Sequence, residues 1–207
     1  MKQKIIIIAA FLLIIGSWDA MPPTGRFAES PLQGNHRGLP LLTAAIAHAN
    51  TTDLPDFNVT TMENEAVGPS NLPPSDGRWL LIYVSRDRSS NDIIALLSEM
   101  EKERRAQSSK LKVSERAIII VQGKIGDAKM LLNKYPLLSQ FKWYADANSE
   151  ALKNLTIKGA PVLFGIETIG ARGEGTAALN RIIWRMDGLK RDKGEMKRII
   201  ENWIERQ

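Results

Sequence analysis

The chain has no cysteine among its 207 residues. That excludes disulfide bonds, thiolate nucleophiles and cysteine metal ligands. It has only two histidines, His36 and His48, and no clustered carboxylate motif beside either. Such a set makes a poor metal site, so no metal and no cofactor are expected, and both histidines read as surface residues. No strong single-sign charge is present: the formal net charge is +5. Without residues 1–20 the chain keeps 26 basic and 22 acidic residues, a net charge of +4. This is far from the concentrated basic face of a nucleic-acid binder, and leaves proximity to an anionic membrane surface open. Phosphate-loop and dinucleotide fingerprints are missing as well. "GARGEG" at 170–175 has no Lys-Ser/Thr after it and lies between two predicted strands.

Long hydrophobic runs are scarce. The longest, Ile5 to Ile15, follows Lys2 and Lys4. As a helix it spans about 16 Å, roughly half a bilayer's hydrocarbon core. Residues 1–20 therefore read as a secretory signal peptide. Ala20 suits the cleavage site, whereas Trp18 is bulky where a small side chain is wanted, so a short uncleaved anchor is the alternative. Residues 21–56 are rich in Pro, Gly and polar residues and read as a linker, with a short helix over "LLTAAIAHA". Export makes the missing cysteines informative, since exported proteins use them as disulfides or reactive pairs.

From residue 57 the pattern tightens. "FNVTTM" alternates like a strand, and "WLLIYV" (79–84) is an apolar run of the length of a strand buried on both faces. Ile93, Leu96, Leu97 and Met100 then fall at helical spacing. "RAIIIVQG" predicts a second buried strand, followed by a helix with Asp127 at its N-cap and Pro136 ending or kinking it. "FKWYAD", "APVLFGI" and "RIIWRMDG" predict strands, and "NSEALKNLTI" a short helix. A last helix carries Met196, Ile199, Ile200, Trp203 and Ile204 on one face. Trp143, Trp184 and Trp203 read as core, and the basic stretch from Arg181 to Arg198, broken by acidic residues, as a solvated face. The order predicts an α/β sandwich, with a mixed central sheet flanked by helices.

Four stretches carry a family resemblance over residues 57–207. "DGRWLLIYVS" resembles the Gly and first central strand of the thioredoxin fold, more narrowly of the exported TlpA/ResA-type proteins. "RDRSSND" occupies the turn where that family carries Cys-x-x-Cys. "IKGAPVLFGI" resembles the Gly-small-Pro before a strand, which makes Pro161 the counterpart of the family's cis-proline. "NRIIWRMDGL" resembles the closing strand. The resemblance implies a thioredoxin-like three-layer sandwich and places Asp87 and Ser90 at the two cysteine positions; a one-residue slip would place Arg88 and Asn91 there. Redox activity is not carried over, because a serine hydroxyl forms no exchangeable bond analogous to a disulfide.

Local chemistry accounts for the turn without catalysis. Ser89 as N-cap with Asp92 three residues on matches a capping box. A catalytic reading would use Asp87, Ser89 and Ser90, yet no histidine follows the turn, and an aspartate at a helix start is a weakened base. No catalytic residue is assigned. In the family, a groove beside the cis-proline accepts an extended peptide. The resemblance thus implies a redox-inactive binding or assembly module of the envelope, contacting a protein or peptide through Arg86, Arg88, Ser89, Gly159, Ala160 and Pro161. The arginines would favour an acidic partner. The alternative is a thiol-independent enzyme in the same groove.

Overall fold

The computed structural model describes residues 48–72, 77–107, 112–170, 178–189 and 192–205. The expected signal peptide and His36 lie outside these residues, as does most of the expected linker.

Two apolar runs set the centre of the sheet. Gly77–Val84 (β4) and Ala117–Gln122 (β5) pair in parallel, Leu80 opposite Ala117 through Val84 opposite Val121. Arg88–Gln107 (α1) connects them, with Val113–Arg116 (α2) after it. Lys142–Asp146 (β6) adds a parallel strand to β5, reached through Ile125–Lys134 (α3). On the other side Val162–Ile169 (β7) runs antiparallel to β4, and Leu179–Asp187 (β8) antiparallel to β7. Glu150–Asn154 (α4) precedes β7, and Lys193–Glu205 (α5) follows β8. Val59–Thr61 (β2) and Ala66–Val67 (β3) extend the sheet beyond β6.

The opposite edge corrects the expected linker. His48–Asp53 (β1) pairs antiparallel with β8, so the chain joins the sheet before residue 57 and the short helix expected to reach Ala49 does not continue there. Among the described residues the sheet has eight strands, in the order β1-β8-β7-β4-β5-β6-β2-β3.

Because alternate residues of a strand face opposite ways, each central strand feeds two cores. Leu80, Ile82, Val84, Ile119 and Val121 pack with α1, α3 and α5. Trp79, Leu81, Tyr83, Ile118 and Ile120 pack with α4 and with Leu54, Phe57 and Leu72. These are the three layers. The helical stripe of α1 is buried, as its spacing predicts, and so are Trp143, Trp184 and Trp203.

A glycine makes one of these contacts possible. A Cβ on Gly165 would come within 2.0 Å of the Trp184 indole nitrogen, so the ring lies over bare backbone. Trp184 meets Trp203 edge to face at 5.7 Å, and Trp203 donates to the Trp79 carbonyl at 2.9 Å. Together they seat α5 on the sheet. Several basic residues of the C-terminal stretch pair with acidic ones: Lys193 with Glu99, Lys197 with Glu103 and Glu201, and Arg181 with Asp53.

Asp127 is three residues into the start of α3 rather than at its cap. Its carboxylate accepts the Lys124 amide at 2.9 Å, from inside the first turn. Inside α1, Glu101 is buried and bound by Arg104 and Arg105. The Arg104 hydrogen bonds hold its carboxyl below the ordinary glutamate range, against the opposing effect of burial.

Candidate functional site

The C-terminal end of β4 and the N-terminal end of β7 lie side by side, with Tyr83 opposite Val162. The turn that follows β4 and the loop that precedes β7 therefore emerge at the same end of the sheet. This topology brings residues 85–90 and 158–161 together.

The turn is closed by its own side chains. Asp87 caps α1: it accepts the Ser90 amide on Oδ1 at 2.7 Å, and its carbonyl accepts the Asn91 amide at 3.2 Å. The cap is thus Asp87, two residues before the expected Ser89, and Asp92 is not its box partner. Aspartate and serine cap comparably, so geometry rather than residue preference decides between them. Ser90 is fully buried; its hydroxyl accepts the Ser85 amide at 2.9 Å and lies 3.2 Å from the Ser85 hydroxyl. Ser85 in turn donates to Asp87 Oδ2 at 2.6 Å. Burial pushes the Asp87 carboxyl up, but the hydrogen bonds from Ser85 and Ser90 together outweigh it. The group titrates below the usual aspartate range.

Arg86, Arg88 and Ser89 are exposed around this closed core. Arg86 is engaged with Asp127 of α3 at 3.1 Å. Among the described residues Arg88 has no ion-pair partner.

The loop differs. Lys158 and Gly159 are exposed, Ala160 is half-buried, and Pro161 is buried behind a cis Ala160–Pro161 peptide. A Cβ built on Gly159 would meet nothing within 4 Å, so the space beside its Cα is open. The Pro161 carbonyl accepts the Gly188 amide at 2.8 Å. Among the described residues, no hydrogen bond reaches the backbone of Lys158, Gly159 or Ala160. Lys158 is a second exposed cation with no ion-pair partner there.

At the same end of the sheet lies a buried polar pair that sequence reasoning missed. Asp146, at the end of β6, is fully buried, accepts the Tyr83 hydroxyl at 2.9 Å, and accepts the Ala151 and Leu152 amides at the start of α4. Burial first, then the Asp146 hydrogen bond, drives the Tyr83 phenol far above its ordinary pKa. The available signal was an aspartate ending an apolar strand just before a helix. Lys158 was also missed: a lone lysine beside Gly-Ala-Pro carries no motif. Among the described residues no group of three or more potential ligands is placed to hold a metal ion.

No protein-family model and no curated protein matches the sequence. Solved structures do match. One, a candidate thiol:disulfide interchange protein DsbE from Chlorobium tepidum, is 16% identical, covers 73% of this chain and 95% of its own, and has a TM-score of 0.49. A thiol-disulfide oxidoreductase from Bacteroides fragilis is 16% identical over 72% of this chain and 99% of its own, with a TM-score of 0.47. StoA from Bacillus subtilis is 14% identical over 74% and 100%, with a TM-score of 0.45. At these values the likeness carries no argument about activity. The topology itself decides the fold: β4–α1–β5 in parallel, then the β7–β8 hairpin on β4 and a closing helix, in the order β8-β7-β4-β5.

The fold is thioredoxin-like. Strands β6, β2 and β3 widen this thioredoxin-like core on one side and β1 on the other. Without cysteine, it cannot carry out thiol–disulfide exchange.

Proposed function

We propose that this chain is a redox-inactive binding or assembly module of the cell envelope, holding an extended, acidic segment of a partner polypeptide. The segment would lie in a groove between the turn at Arg86–Ser90 and the loop at Lys158–Pro161. The observation that carries this reading is the free backbone of Lys158–Ala160. Backbone N–H and C=O groups without internal partners are the groups that strand-like addition of a peptide uses. Arg88 and Lys158, which have no ion-pair partner among the described residues, favour carboxylates on that peptide, while Arg86 is occupied by Asp127. Residues 1–20, with two lysines and a short apolar run, support export.

The enzymatic alternative has less support. Ser90 is out of reach of a substrate, and Asp87 is held ionised by the Ser85 hydroxyl and the Ser90 amide, which lowers its strength as a base. A titration tests the proposal. A dodecapeptide alternating Glu and Val is added to isotopically labelled protein, with a Lys-Val dodecapeptide as control. The expected result is amide shift changes concentrated at Arg86–Ser89 and Lys158–Ala160, with the acidic peptide only. Changes centred on another face, or equal binding of both peptides, would reject this groove as an acidic-peptide site.

A further inference from the structure

We propose that Arg185 is a positioning residue, the centre of a clamp from the end of β8 that fixes both ends of the loop before Pro161. Its functional importance rests on the reading of that loop as the binding surface; its geometry does not. The Arg185 side chain is only 26% exposed although its strand is near the sheet edge. Nη1 donates to the Leu155 carbonyl at 2.9 Å, and Nη2 to the Thr156 carbonyl at 3.1 Å. These carbonyls lie at the C-terminal end of α4, where the helix itself offers no partner. The rest of the fork is spent on Asp187, with Nε at 3.0 Å and Nη2 at 2.7 Å. The guanidinium also lies 5.3 Å from the centre of the Phe164 ring.

The segment it grips needs holding. Thr156 has φ of 52°, in the left-handed region that a β-branched residue rarely enters. Such a conformation persists where its surroundings over-determine it. The Ile157 amide donates back to the Leu152 carbonyl at 2.9 Å, closing the helix end in the turn that glycine usually completes. At the other end of the loop, Gly188 donates to the Pro161 carbonyl at 2.8 Å, and Asp187 is in register with Val162. Residues 185, 187 and 188 thus reach both ends. Lys158–Ala160, spanning the gap without backbone hydrogen bonds, take their position from those two anchors.

The test is amide hydrogen exchange on Arg185→Met, which keeps the apolar stem and removes the fork, together with its affinity for the Glu-Val dodecapeptide. The Ile157 and Gly188 amides are expected to exchange about tenfold faster, while Ile120 and Val121 keep their rates. Peptide affinity should fall about tenfold. Asp187→Asn, which weakens the grip without removing it, should give the same pattern at about threefold and serves if Arg185→Met does not fold. Equal acceleration at every amide would mean general destabilisation, and acceleration at Ile157 alone a helix cap only; either overturns the clamp. Unchanged affinity despite faster exchange at both anchors would overturn the positioning role in binding. A native protein that binds no peptide would overturn the groove instead, leaving exchange to decide the clamp.

Discussion

The turn after β4 and the loop before β7 meet at one end of the same sheet but treat their polar groups in opposite ways. In the turn, Ser85, Asp87 and Ser90 satisfy one another, and the Ser90 side chain is sealed from solvent. In the loop, three consecutive residues leave their backbone groups to solvent or a partner. A closed set of hydrogen bonds of this kind is explained by the helix it starts. An open backbone held at both ends is explained only in part by the fold. The difference teaches that the self-satisfied turn is the less informative half of this region, and that function is to be sought in the loop across from it.

This contrast can be broken by mutation. The largest stability effect in the pair should come from Ser90→Ala, which leaves the Ser85 amide without its acceptor. A loss of about 2 kcal/mol in denaturant unfolding is expected. A loss below about 0.5 kcal/mol would show that the turn does not depend on this network.

Asp87→Ala should cost about 1 kcal/mol near neutral pH, the usual value of an N-cap. The pH dependence sharpens it. The folded pKa of Asp87 lies below its unfolded value, so its contribution is complete above about pH 4 and is lost as pH falls through the folded value. The stability gap between native protein and variant should therefore narrow on acidification. A gap that widens would contradict the assignment of those hydrogen bonds to the ionised carboxylate.

The central sheet and its helices were legible because burial imposes a period. "WLLIYV" and "RAIIIVQG" read as buried strands, and the apolar stripes of α1 and α5 read as helix faces. Strand β1 was not legible. "HANTTD" shows no apolar alternation, its residues Thr51–Asp53 are exposed, and it joins the sheet through pairing with β8. Sequence patterns record what is buried, and an exposed edge strand buries little. The capping pattern points to Ser89, two residues past the actual cap at Asp87, because the turn offers several good capping residues in succession. The clamp at Arg185 was invisible for a different reason. An arginine two residues before an aspartate in a strand is ordinary, and its meaning depends on the carbonyls of Leu155 and Thr156, just past α4 and about thirty residues away.

The central claim, that the open loop holds the partner segment against a turn closed by its own hydrogen bonds, is tested most directly by Lys158→Glu. Unfolding free energy and affinity for the acidic dodecapeptide would be measured on the same preparation. The account predicts stability within about 0.5 kcal/mol of the native protein, since the side chain is exposed and without an ion-pair partner among the described residues. It predicts an affinity about tenfold weaker, from the reversed charge beside the peptide. Unchanged affinity with unchanged stability would contradict it.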